Sequence, residues 1–218
     1  MSDRLTAHFG AVRLPLPDPV ETLVLTILSQ NTTDRNRDRA YATFRRQFPA
    51  LEAAAQANPE HIENSIHIAG LQKQKAQAIQ TAVQRVLHTA GDLSLDFLRP
   101  QSTQDAMAWL LDLPGVGEKT AGIVVLFALR KPFFPIDTHI RRVLLRVGLV
   151  GKGQNLHRTV NAILPPDVSM MIGLHLHTIE LGRTICRPRH PRCAQCPLEE
   201  RCQHACATTA AERERNGH

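Results

Sequence analysis

Aromatic residues are scarce in this 218-residue chain: one Trp, one Tyr and seven Phe, 4% of the sequence. That scarcity argues against a core of stacked rings and against a nucleic-acid surface made mainly of Tyr and Trp platforms. Long apolar runs are missing as well. The longest uncharged one, residues 121–129, is about half of the roughly 18 residues a membrane span needs. The N-terminus, MSDRLTAHFGAVRLPLPDP, has an acid at position 3 and no apolar core, so it does not read as a secretory signal. No segment alternates with period two over a strand's length, and no long repeat, low-complexity block or linker is present. Five cysteines are few for a disulfide scaffold, and all lie between Cys186 and Cys206. Such clustering points to metal before disulfide.

The length fits one large domain or two small ones, either able to bury a real core. Lys and Arg number 26 against 20 Asp and Glu, a formal +6 with a pI near 9.4. The excess favours a polyanionic partner, nucleic acid first.

The pattern is helical almost throughout. Asp18-Pro19-Val20-Glu21 reads as N-cap, Pro at the first position and an N3 Glu, and Val20, Leu23, Val24, Ile27 and Leu28 then share one face. Asp34 is expected to cap a helix through Phe48. Asn58-Pro59 opens another that ends at Gly70, and residues 72–90 form one that Gly91 stops. Ser102 with Asp105 opens the next, and helices follow near 118–130, 138–148, 154–163 and 169–185. The best break in the chain is Lys131-Pro132 to Pro135.

Two stretches carry chemistry. Leu113-Pro114-Gly115-Val116-Gly117 joins two helical patterns, and its glycines allow a tight turn whose N–H groups can approach a ligand. The helix that follows adds unpaired N–H donors and a positive dipole end, so a backbone phosphate can dock there. The second stretch is Cys186-x6-Cys193-x2-Cys196-x5-Cys202. Structural zinc sites more often pair two Cys-x2–4-Cys knuckles and only one is present here, while four Cys also suit a [4Fe–4S] cluster. Cys206 lies outside the spacing and reads as a spare thiol. Between the first two cysteines, Arg187, Arg189 and Arg192 are stiffened by two prolines, which suits a phosphate-binding loop.

Leu113-Pro-Gly-Val-Gly-Glu-Lys-Thr-Ala121, followed after an apolar helix by Ile136-Asp-Thr-His-Ile140, resembles the helix-hairpin-helix DNA glycosylases, and within them endonuclease III; the 6-2-5 cysteine spacing agrees. The resemblance runs from about Pro19 to Cys202. It implies an all-α fold with two helical subdomains and a DNA-binding groove between them. One is a six-helix domain, 19–131, with the helix-hairpin-helix at about 102–130; the other, built from 1–18 and 132–218, carries an iron–sulfur cluster. Implied too is base excision repair by a bifunctional DNA glycosylase and AP lyase that removes oxidised pyrimidines. Lys119 would attack C1′ and form a Schiff base, after which β-elimination cuts the strand. An amine nucleophile must be neutral, which a partly buried place at a helix N-terminus favours. Asp137, a natural N-cap, would also stabilise charge on the sugar and move protons, with His139 in support.

Extrusion of a nucleotide leaves a hole to fill. The resemblance assigns that to Ser29-Gln30-Asn31-Thr32-Thr33-Asp34, in which Asn31 stands at the usual Gln position, and to Ala69-Gly70-Leu71, in which Leu71 is the apolar wedge. Gln30, Asn31, Leu71, Gly115, Gly117, His139, Arg187, Arg189 and Arg192 are thus the expected DNA contacts, with Arg141, Arg142 and Arg146 extending the footprint. Cys186, Cys193, Cys196 and Cys202 would hold the [4Fe–4S] cluster. The partner would be double-stranded DNA carrying damaged bases or abasic sites, bound by a cytoplasmic, nucleoid-associated monomer with no membrane contact. Lys119 speaks against the adenine-mismatch branch, and Thr26 occupies the place of that branch's catalytic Glu. Lys119 with Asp137 likewise speaks against a non-catalytic DNA-binding module.

Overall fold

The computed structural model describes residues 1–151 and 153–205. Eleven α-helices and no strand occur among the described residues, and none of these helices is long and apolar enough to cross a membrane. The chain divides into two compact units: Pro15–Lys131, and Met1–Leu14 together with the chain from Pro132 on.

Within Pro15–Lys131 the central element is α2 (Pro19–Leu28), opened by Pro19 and by the Asp18 carboxylate, which accepts the Glu21 N–H. Val20, Leu23, Val24, Ile27 and Leu28 are all buried, because the helix is surrounded. It packs against α3 (Asp34–Gln47), α6 (Gln72–Ala90) and α8 (Glu118–Ile123). The short α4 (Ala53–Gln56) is held by α6: Gln80 Nε2 donates to the carbonyls of Ala54 and Ala57, and Gln84 Nε2 to that of Ala55. Next, α5 (Pro59–Ile66) and a 3-10 turn (His67–Ala69) lead to Gly70, and α7 (Thr103–Leu111), capped by Ser102, completes the unit.

Two boundaries differ from expectation, and two short helices, α4 and Ser2–Phe9, were not expected at all. Thr33, not Asp34, caps α3, its hydroxyl accepting the Asn36 N–H. The helix expected over 118–130 is α-helical only to Ile123; Val124–Ala128 is a π segment in which the Leu129 N–H reaches the Val124 carbonyl. Each such bond spans one residue more than an α-helical bond, so the last turns widen. The short α4 was not anticipated, since four residues are too few to show a period.

The other unit joins both ends of the chain: α1 (Ser2–Phe9), α9 (Thr138–Val147), α10 (Leu156–Ile163) and α11 (Val168–Thr184). Buried Leu5 helps seat α1 on α11. Gly182 on α11 lets α9 approach, since a Cβ there would come 2.9 Å from His139 Cβ. Cys206 lies outside the described residues.

Candidate active site

In Pro15–Lys131 the hairpin of residues 112–117 sits between α7 and α8. Gly115 is required twice over: its φ is +78°, and an added Cβ would lie 2.9 Å from Ala78 Cβ. Gly117 is different. Its backbone is extended and an added Cβ would meet nothing within 4 Å, so the fold itself does not require glycine here. No side chain caps α8, and the N–H groups of its first turn have no intrahelical acceptor. Lys119 stands in this turn and is exposed, which corrects the expectation of partial burial. The next residue, Thr120, is the one that turns inward.

The two expected wedge segments belong to the same unit as this hairpin. Past the end of α2, Asn31 is exposed with φ 49°. Past Gly70, Leu71 has φ 51° and is 46% exposed. Gln30 is not a free probe: its amide donates to the Gly115 carbonyl at 2.9 Å and to Thr120 Oγ1 at 3.3 Å. It therefore anchors the segment on the hairpin. Thr26 is buried, its hydroxyl bonded to the Thr22 carbonyl.

In the other unit, Asp137 caps α9, Oδ1 accepting the Ile140 N–H at 2.7 Å. The preceding segment, residues 134–136, is fixed by three side chains that sequence reading missed. Asn161 accepts the Phe134 N–H at 2.6 Å and donates to its carbonyl at 3.1 Å; the Ile136 N–H meets His157 Nε2 at 3.0 Å; His175 Nδ1 lies 3.0 Å from the Pro135 carbonyl. His157 and Asn161 stand one helical turn apart on α10, a spacing that was the available signal. His139 is packed against α11 beside Gly182, and Nδ1 accepts from Arg142 at 3.2 Å. His139 is thus part of the α9–α11 seam.

Arg142 and Arg146 are half-buried, and both bond to main-chain carbonyls of this unit. Arg142 donates to the carbonyls of Cys186 (2.9 Å) and Gly182 (2.6 Å), and Arg146 to those of Arg187 (2.6 Å) and Pro188 (3.0 Å). Five-donor guanidinium groups suit such carbonyl clusters. The loop 187–192 is closed further by the Ile185 carbonyl, which accepts from the N–H groups of both Arg187 and Arg192. Arg187, Arg189 and Arg192 are exposed on it; the Arg187 side chain donates to the Thr184 carbonyl.

Cys186, Cys193, Cys196 and Cys202 are free thiols lining one small cavity, of about 20 Å³, with Arg146 and Ile185. Among the described residues no three His, Cys, Asp or Glu side chains are placed to hold a single metal ion; the sulfurs surround a volume instead. Burial pushes the Cys193 and Cys196 thiols up from their ordinary range. Four thiols around one cavity fit a polynuclear iron–sulfur group, whose binding would remove their protons.

A model of the HhH-GPD superfamily of base excision DNA repair proteins matches residues 24–166. The chain belongs to that superfamily. Endonuclease III of Thermotoga maritima is 31% identical over 188 residues, 85% of this chain and 83% of the relative, so membership extends to the endonuclease III family. Among solved structures, a non-covalent endonuclease III–DNA complex superposes with a TM-score of 0.79 at 26% identity, covering 96% of this chain and 95% of the other. A trapped endonuclease III–DNA covalent intermediate gives the same TM-score at 27% identity, covering 95% of both chains. As an endonuclease III family member the protein is a base excision repair DNA glycosylase with an all-α fold. Buried Thr26 has no carboxyl to offer in place of the mismatch branch's acid.

Proposed function

We propose that the protein binds duplex DNA, extrudes an oxidised pyrimidine nucleotide and removes the base through Lys119. The amine attacks C1′, the glycosidic bond breaks, and the base departs with a proton. Opening of the sugar ring leaves an iminium at C1′. Loss of a C2′ proton then expels the 3′ phosphate, cutting the strand. The Asp137 carboxylate faces the positive charge that builds on the sugar and carries protons to and from the amine. The phosphate backbone is held at the N-terminus of α8 and by Arg187, Arg189 and Arg192, while Asn31 and Leu71 fill the vacated stack.

The observation that carries this reading is the exposed amine of Lys119 in the uncapped first turn of α8, in a base excision repair family. Cys186, Cys193, Cys196 and Cys202 would hold a [4Fe–4S] cluster. When bound, that group supplies iron–thiolate bonds that cross-link residues 186 and 202 through the loop between them. Borohydride trapping on duplex DNA with an abasic site tests the chemistry. A covalent adduct is expected from the wild type and none from Lys119→Ala. DNA binding with no adduct from the wild type would favour a non-catalytic binding module.

A further inference from the structure

Lys75 is 2% exposed, among the largest fully buried side chains of the protein. It lies in the first turn of α6, and its ammonium donates to two carbonyls, Leu28 and Ala69, each at 2.9 Å. No carboxylate pairs with it among the described ion pairs, and burial draws its titration below the ordinary lysine range. A buried, unpaired cation costs stability. Yet a straight apolar side chain in register with Ile79, Ala82 and Val86 would fill the site.

The two carbonyls explain what the cation accomplishes. Leu28 is the last residue of α2 and Ala69 the last of the 3-10 turn. Carbonyls there have no further helical N–H partner and sit at the negative ends of their segments, so one ammonium suits both. Asn31 follows Leu28 by three residues and Leu71 follows Ala69 by two. These are two of the four non-glycine residues with positive φ among the described residues. A left-handed conformation persists in such residues only where the surroundings hold it. Lys75 holds both segments from below, and Gln30 fixes the first of them to Gly115.

We propose that Lys75 is a positioning residue that sets the spacing of Asn31 and Leu71, so that both enter the DNA stack as one rigid probe. The proposal rests on the reading of those two residues as stack-filling. Misplacement by about 1 Å can cost about 10²-fold in rate. The loss should be confined to substrates whose base must be extruded from a duplex. Single-stranded abasic DNA needs no extrusion.

The test compares wild type, Lys75→Met and Lys75→Arg in two measurements. One is the unstacking of 2-aminopurine placed opposite an oxidised pyrimidine, followed by fluorescence. The other is the ratio of borohydride trapping rates on the lesion duplex and on single-stranded abasic DNA. In Lys75→Met the unstacking rate and the duplex-to-single-strand ratio are both expected to fall about tenfold or more. Lys75→Arg keeps the cation but alters the spacing of the two carbonyls, so a smaller fall in the same ratio is expected; this variant carries the test if the Met variant does not fold. Adding Leu71→Ala to either should cost little more than Leu71→Ala alone, because both act on one step. A folded Lys75 variant with an unchanged ratio overturns the proposal, as does full additivity with Leu71→Ala. If Leu71→Ala alone leaves unstacking unchanged, the stack-filling reading itself fails.

Discussion

Asp137 has two roles assigned to one carboxylate, and they separate by substitution. Its Oδ1 accepts the Ile140 N–H at 2.7 Å and starts α9. Removing such a cap costs about 1 kcal/mol, within roughly 0.5–2. For a protein of this size each kcal/mol lowers the melting temperature by about 2–4 °C. Asp137→Ala is thus expected to melt about 1–8 °C below wild type. Asn caps as well as Asp, so Asp137→Asn should melt within about 1 °C of it. Catalysis sorts the same variants differently. If the negative oxygen is what faces the sugar's developing charge and moves the protons, both variants lose it, and single-turnover excision should fall by about 10²–10⁴ in each. The assay is thermal unfolding by circular dichroism alongside single-turnover cleavage of a duplex with one oxidised pyrimidine. Asp137→Asn with wild-type melting and excision within about threefold of wild type would refute the catalytic role and leave only the cap.

The two hairpin glycines should part in the same way. Gly115→Ala meets both a positive φ and a 2.9 Å contact with Ala78, and should destabilise by about 1–3 kcal/mol in chemical denaturation. Gly117→Ala should leave stability unchanged, because its Cβ meets nothing in the protein; if a phosphate docks here as proposed, it should weaken DNA binding in a filter or anisotropy titration. Arg146→Ala removes the bonds to the Arg187 and Pro188 carbonyls; DNA affinity should fall, and a further Arg189→Ala should then cost less than it does in wild type. Lys75 binds its proton less tightly folded than unfolded, since burial disfavours the cation. Between the lowered folded value and about 10.4 the unfolded chain holds more protons, so this residue's contribution to stability rises with pH through that window. Denaturation of wild type against Lys75→Met should show the difference shifting toward wild type as pH approaches 10.4; a pH-independent difference would contradict the assignment.

Residues whose roles are set by local backbone geometry were legible in the sequence. Asp18, Asn58, Ser102 and Asp137 cap helices through bonds that span two or three residues, a range that spacing alone encodes. Charge was legible only as a total. Arg146 and Arg189 look alike in the sequence, but one is spent on carbonyls some forty positions away and the other is exposed. No local pattern distinguishes an arginine that builds a phosphate loop from one that uses it. Lys75 is the sharpest instance, since nothing in the sequence pattern singles it out as a buried cation. Its register with Ile79, Ala82 and Val86 places it on the apolar face of α6, where a lysine reads as an exception to the pattern. The partners that make it fit, the Leu28 and Ala69 carbonyls, are main-chain atoms and leave no mark on residue identity at positions 28 and 69. A lysine in register with a helix's apolar face is therefore best read as a request for carbonyls. Where two helices end nearby, the segments beyond those ends are the place to look for what it holds.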